Sequence, residues 1–139
     1  MDPELVQFIT RLDVAFARCA EDRLQNMLGF PRGKCQVACR VAASVLERAG
    51  WGTWDLVFGA HPITGQFGGH FWLERGNCYY DPTVHQFNEY TTPIVGETPH
   101  PLSVSRFVRS ETLPHGVDED HRSLAPLRDR ILELIDFSS

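Results

Sequence analysis

The sequence has no long hydrophobic run and no cluster of basic residues. No apolar segment approaches the ~20 residues that a membrane-spanning helix needs. The first residues, Met1 to Glu4, are acidic, and no basic region precedes an apolar stretch as in a classical signal peptide. With 13 Lys and Arg against 18 Asp and Glu, the net charge is −5, which is unfavourable for contacts with nucleic-acid phosphates. Membrane proteins, classically secreted proteins and nucleic-acid-binding proteins are therefore disfavoured.

Lysine is scarce, because Lys34 is the only lysine among the 13 basic residues. Nucleotide bias toward arginine codons is one explanation. The other is delivery of the protein into a foreign cytosol, where lysine invites modification. The composition leaves both explanations open.

Cysteine is present, but its four residues are too few for a disulfide-stabilised scaffold, so a reducing compartment is favoured. Cys35 and Cys39 would share one face of a helix, and a zinc site that combines them with two histidines is the metal-binding alternative. The six histidines are scattered and include no His-x3-His pair, so we expect no metal and no cofactor. The four cysteines are Cys19, Cys35, Cys39 and Cys78.

The length of 139 residues predicts one domain with a single core. Apolar residues recur every three or four positions over 3–26, which predicts an amphipathic helix. A second helix is predicted over 35–49, ended by Gly50, and a third over 124–137. Two glycines and a proline in 28–33 predict a loop between the first two helices.

The period changes after the second helix, and a sheet is predicted within about 54–87. The segment 54–58 is typical of a strand. The segments 70–74 and 77–81 are predicted to be two strands of a hairpin. Several glycine and proline residues in 61–69 predict a loop.

The rest of the chain, 88–139, is predicted to be mostly irregular before its terminal helix. The segment 88–101 is rich in Thr and Pro, 102–108 is predicted to be one more strand, and 113–123 a polar loop. Two helices followed by a small antiparallel sheet predict a single α+β domain over 1–139.

Cys35 is a candidate nucleophile because it opens the second predicted helix. Free backbone N–H groups and the helix dipole at this position favour a thiolate and can bind an oxyanion. Lys34 adds a neighbouring cation. An isolated cysteine at a helix start is also often a small buried residue, so a catalytic interpretation needs a base nearby.

The predicted hairpin supplies a histidine and a carboxylate. If residues 75–76 form the turn, His70 lies opposite Asp81; if 76–77 form it, Asp81 is diagonal to His70 on the same face. A three-residue turn would place Asp81 on the other face. In either two-residue register, the hairpin predicts an imidazole base oriented by a carboxylate.

Three nearby residues have simpler interpretations. Cys39, one helical turn after Cys35, is expected to pack under it, with a resolving thiol as the alternative. Cys78 is interpreted as a packing residue. His85 is an alternative base that ranks below His70, because no acceptor for its ring is evident.

The candidate residues lie in three short motifs, which are FPRGKC at 30–35, GHFWLE at 69–74 and DPTVHQF at 81–87. Together the motifs resemble the papain-fold bacterial toxins, the glutamine-deamidase-like branch of the papain and transglutaminase superfamily. That branch has a Phe-Pro-x-Gly-x-Cys helix start, a His-x-Trp-Leu strand and an Asp-x-Thr-x-x-Gln-Phe strand. The resemblance covers about residues 30–87.

The resemblance implies a papain/transglutaminase-like core, with the nucleophile at the start of a helix packed on a small antiparallel sheet. It implies that Cys35 is the nucleophile, His70 the base and Asp81 the residue that orients the base. Gln86 and Phe87 match the end of the third motif and are interpreted as structural. The implied activity is deamidation of a glutamine side chain on a protein substrate by a bacterial toxin or effector.

Several alternatives share these residues. A cysteine protease or a transglutaminase would use the same triad, and a non-catalytic binding module could retain the fold. Papain-like peptidases place an oxyanion-binding glutamine shortly before the cysteine; 28–30 contains none, and Gln25 and Asn26 are the nearby carboxamides. The resemblance also implies synthesis in the bacterial cytoplasm, delivery into a target cell and a cognate immunity protein as partner.

Overall fold

The computed structural model describes residues 1–113 and 122–138, and the described residues belong to the predicted α+β class. They form a five-stranded sheet and four α-helices, with short 3-10 turns between them. The elements are α1 (Pro3–Glu21), α2 (Cys35–Arg48), β1 (Asp55–His61), β2 (Gly65–Arg75), β3 (Cys78–Asp81), β4 (Ile94–Glu97), α3 (Pro101–Ser105), β5 (Val108–Leu113) and α4 (Ala125–Ser138).

The sheet has the order β4-β3-β2-β1-β5, and all its neighbouring strands are antiparallel. Side chains alternate between its two faces. Leu56, Leu73 and Tyr80 join the main core, to which α1, α2 and α4 contribute their apolar stripes. Trp72 and Tyr79 pack together in a second cluster. His70 has the parity of Trp72, so the catalytic candidates on the hairpin belong to the second face.

The helix predictions are largely confirmed. Asp2 caps α1 by accepting the N–H of Glu4, and α1 ends at Glu21, five residues earlier than the predicted end at 26, because the chain turns at Arg23 with a φ of 55°. The second helix begins and ends within one residue of its prediction, and Gly50 follows it with a φ of 88°.

Two predictions around the sheet are wrong. The segment 61–69 is not a long loop, because β1 continues to His61, β2 begins at Gly65, and only 62–64 form the turn. The segment 102–108 is not a strand over most of its length but contains α3, since Pro101 occupies the first helical turn and His100 caps it.

The irregular character predicted for 88–101 holds only in part. The segment contains β4, which pairs with β3. Farther along the chain, β5 begins at Val108 and pairs with β1. The predicted loop 113–123 lies mostly outside the described residues. The terminal helix is confirmed, with a shift of one residue at each end.

A partly buried carboxyl group, that of Asp13, links α1 to the sheet. Tyr80, on β3, donates its hydroxyl hydrogen to Oδ1 of Asp13 on α1. Burial raises the pKa of Asp13; the hydrogen bond from Tyr80 lowers it in part, and repulsion from Asp81 raises it again, so that the pKa is about 7. Asp13 therefore titrates near neutral pH.

This pKa predicts a pH-dependent stability. Because folded Asp13 binds its proton more tightly than the unfolded chain does, the contribution of Asp13 to the free energy of unfolding should rise as the pH falls from about 7 to about 4. Asp13→Asn keeps an acceptor for Tyr80 and removes the titration. The free energy of unfolding of the wild type relative to this variant should change by about 2 kcal/mol over that range, allowing for solvent screening.

Urea denaturation at a series of pH values measures this difference. Asp129→Asn, which changes a carboxylate that is 64% exposed on α4, is the matched control and should follow the wild type. An identical pH dependence in wild type and Asp13→Asn would contradict the assignment.

Candidate active site

The β2–β3 hairpin brings His70 and Asp81 together. Arg75 pairs with Cys78, so residues 76–77 form the turn, and the second of the two predicted registers is the observed one. Asp81 is then diagonal to His70 on the same face of the sheet. The Nε2 atom of His70 lies 2.6 Å from Oδ2 of Asp81, and both side chains are fully buried.

Cys35 is the first residue of α2 and is partly exposed. The N-cap residue, Lys34, makes no side-chain capping bond, and the N–H of Ala38 makes the first backbone bond of the helix, to the carbonyl of Lys34. The N–H groups that precede Ala38 in the helix therefore have no helical partner. The side chain of Cys35 lies close enough to His70 to raise the pKa of the imidazole. Nε2 of His70 faces Asp81, and the other ring nitrogen, Nδ1, lies 3.2 Å from the side-chain nitrogen of Gln86.

The charge state of His70 reflects a balance between burial and attraction. Burial lowers its pKa, but the charge and hydrogen bond of Asp81 raise it, and the interaction with Cys35 raises it further, to about 9. The imidazolium is thus favoured at neutral pH. An imidazolium beside a cysteine is the electrostatic arrangement that thiol catalysis requires.

Asp81 is held by three hydrogen bonds. Its Oδ2 also accepts from Nε2 of His100, at 2.8 Å, and its Oδ1 accepts from the N–H of Thr83, at 3.1 Å. Burial by itself would raise the pKa of Asp81, but the charge of His70 and the hydrogen bonds from both histidines hold it below its usual value. The carboxylate stays ionised in the interior. Sequence reasoning did not find His100, because nothing near it in the sequence points to Asp81.

Gln86 and Phe87, interpreted from the sequence as structural, both contact the imidazole of His70. Nε2 of Gln86 lies 3.2 Å from Nδ1 of His70, and the ring of Phe87 meets that of His70 edge-on with centroids 5.0 Å apart. The 3-10 turn Val84–Gln86 carries the chain back to the site after β3. The sequence feature that pointed to Gln86 was its place in the third motif, five residues after Asp81.

His85, the alternative base, and Asn26, one of the carboxamides near Cys35 in the sequence, contact other parts of the chain. The His85 ring packs against Phe30 with centroids 5.5 Å apart, and its buried Nδ1 has no hydrogen-bond partner among the described residues. Burial lowers the pKa of His85. Asn26 uses its carboxamide to donate a hydrogen bond to the carbonyl of Ser123, at 2.8 Å.

The remaining cysteines differ from Cys35. Cys39 is fully buried, and burial raises its pKa well above the ordinary value. Cys19 is also buried, with a pKa raised by burial to about 11. Cys78 is partly exposed at the start of β3. It is therefore the natural reference for the reactivity of Cys35.

Over residues 1–113 and 122–138, no group of three or more His, Cys, Asp or Glu side chains is arranged to hold a metal ion, which the zinc alternative would require. None of the helices in the same ranges is both long enough and apolar enough to cross a membrane.

Comparison of the chain with protein-family models, with curated proteins and with solved structures finds no match. The resemblance to papain-fold toxins therefore depends on the three motifs alone. The structure adds an α+β fold and a site in which His70 hydrogen-bonds to Asp81 and interacts with Cys35.

The balance at His70 can be tested by removing the charge of Asp81. In Asp81→Asn, burial of the imidazole remains while the attraction is lost, so the pKa of His70 should fall from about 9 to below ~6.5, the ordinary histidine value. NMR titration of the imidazole measures the change, and Asp129→Asn serves as the control. A pKa that stays near 9 in Asp81→Asn would show that Asp81 does not stabilise the imidazolium.

Proposed function

We propose that this protein is a cysteine-dependent acyl-transfer enzyme that deamidates glutamine side chains of a protein substrate. The observation that carries the proposal is the position of His70, which hydrogen-bonds to the buried carboxylate of Asp81 and interacts with the partly exposed side chain of Cys35. A nucleophile, a base and a group that orients the base are what thiol catalysis requires. The papain/transglutaminase-like core is part of the same proposal, supported by the three motifs and by Cys35 at a helix start.

The reaction begins with a thiolate and an imidazolium. Cys35 attacks the carboxamide carbon, a C–S bond forms, and the C–N bond breaks as His70 gives its proton to the departing ammonia. Neutral His70 then takes a proton from water, whose oxygen attacks the thioester. The C–S bond breaks, which releases the glutamic acid side chain and restores the thiolate and imidazolium. Asp81 stays ionised throughout and keeps the imidazole aligned.

Two groups can stabilise the negative oxygen of the tetrahedral intermediates. One is the backbone N–H of Cys35, which has no helical partner. The other is the carboxamide N–H of Gln86, because its nitrogen lies 3.2 Å from Nδ1 of His70, on the side of the ring that faces away from Asp81. Gln86 would thus take the role that the sequence left to Gln25 or Asn26.

Related chemistries use the same intermediate. An amine in place of water would make the enzyme a transglutaminase, and a peptide bond in place of the side-chain amide would make it a protease. The family resemblance favours deamidation. A mere binding module is less well supported, because it gains nothing from an ionised carboxylate buried against an imidazolium, which is costly to maintain.

The biological setting is proposed on the resemblance as well. It favours a bacterial toxin or effector that acts inside a target cell and is neutralised in the producing cell by an immunity protein. The near absence of lysine is consistent with exposure to a foreign cytosol.

Alkylation of each cysteine, followed by peptide mass spectrometry, tests the activated thiol. At about pH 6, Cys35 should react about ten-fold faster than Cys78, the other partly exposed cysteine, because an imidazolium favours the thiolate only at Cys35. Equal rates at Cys35 and Cys78 would refute the proposal of a thiolate–imidazolium pair.

Deamidation is tested on proteins of a eukaryotic lysate. Incubation with the wild type should convert specific Gln residues to Glu, detected by mass spectrometry, and Cys35→Ala should convert none. Cys78→Ala is the matched control and should act like the wild type. Cleaved peptide bonds or Gln–Lys cross-links in place of Glu would indicate the protease or the transglutaminase reaction.

A further inference from the structure

A second histidine reaches the carboxylate of the site. His100 lies 19 residues after Asp81 in the sequence, yet its Nε2 is 2.8 Å from Oδ2, the same oxygen that accepts from His70. The side chain of His100 is fully buried. Its ring contacts those of Trp72 and Tyr79, with centroid distances of 4.8 and 4.9 Å. These aromatic neighbours restrict the imidazole to one orientation.

The other ring nitrogen determines the tautomer of His100. Nδ1 accepts the backbone N–H of Leu102 at 2.9 Å, which makes His100 the N-cap of α3. A nitrogen that accepts a hydrogen bond carries no proton, so the proton of this ring is on Nε2 and points at Asp81. The capping bond therefore presets His100 as a donor to the carboxylate.

No other side chain of the described residues takes the place of His100. Hydrogen bonds to the oxygens of Asp81 come from His70, His100 and the backbone of Thr83. The further titratable groups that interact with Asp81 do so through charge, and they are Asp13, Cys39, Tyr79, Tyr80 and His85. Without His100, the Oδ2 atom would be held by His70 alone.

We propose that His100 is a positioning residue, which keeps the Asp81 carboxylate ionised and its Oδ2 directed at His70. The inference rests on the proposed thiol-enzyme function and adds a fourth member to the site. A capping role would need only the bond to Leu102. The bond to Asp81 is a second connection, and it links the start of α3 to the base.

Two variants separate the positioning role from the capping role. Asn is a preferred N-cap residue, so His100→Asn keeps an acceptor for the N–H of Leu102, but its shorter side chain does not reach Asp81. In His100→Gln, the longer glutamine side chain places an N–H donor near the position that Nε2 of His100 occupies, but it weakens the cap of α3. The rate of Cys35 alkylation across the pH range, relative to Cys78, is measured together with the urea midpoint for both variants.

If His100 positions Asp81, His100→Asn should fold with a lower urea midpoint, because the buried carboxylate loses a donor. Its Cys35 should be alkylated about ten-fold more slowly at about pH 6, and the pH at which the alkylation rate rises should be higher than in the wild type. His100→Gln should stay within about three-fold of the wild-type rate even where its urea midpoint falls. The reverse order, with His100→Asn reactive and His100→Gln slow, would overturn the positioning role in favour of simple capping.

The wild-type protein provides a check that does not depend on variants that fold. The imidazole 15N spectrum should show His100 protonated at Nε2 and unprotonated at Nδ1, and a proton on Nδ1 at neutral pH would refute the inference. The two proposals fail separately. If wild-type Cys35 reacts no faster than Cys78, the thiol-enzyme function is wrong. If wild-type Cys35 is fast and His100→Asn is equally fast, only the role of His100 is wrong.

Discussion

One ionised carboxylate in the interior, that of Asp81, is the constraint on which the rest of the site depends. A buried charge is unfavourable by several kcal/mol unless hydrogen bonds and opposite charge compensate for its lost hydration. The donors come from three parts of the fold: β2 provides His70, the turn after β3 provides the N–H of Thr83, and the segment before α3 provides His100. The hairpin, the 3-10 turn and α3 therefore converge on one group.

Packing around this group restricts the sheet. Gly59 on β1 lies under Trp72 and Phe107, and a Cβ atom at this position would come within 2.7 Å of both side chains. The Phe107 ring in turn stacks on that of His70, with centroids 5.8 Å apart. A strand without a side chain at position 59 thus allows the aromatic residues to approach the imidazole and keep water from it. The low-polarity surroundings strengthen the electrostatic interactions of His70 with its partners.

The contrast between Asp13 and Asp81 shows how partners decide the state of a buried carboxyl group. Asp13 has one hydroxyl donor, from Tyr80, and is repelled by Asp81, so burial prevails and its pKa rises to about 7. Asp81 is more deeply buried, yet the imidazolium of His70 and the donor hydrogen of His100 hold its pKa below the usual value. Burial alone therefore does not predict ionisation, because the number and charge of the donors matter more.

Local patterns in the sequence were enough to predict α2 with Cys35 at its start, the two-residue turn at 76–77 as one of two registers, and His70 and Asp81 on one face. These features depend on helical periodicity, on glycine in turns and on strand alternation, all of which act between near neighbours. Only the tertiary structure decided that Gln86 lies against His70 and that His100 binds Asp81. The wrong prediction for 102–108 has a local cause, since the His100 cap and Pro101 make its first half helical. Contacts between residues far apart in the chain leave no periodic signal, because they arise when separate elements pack together.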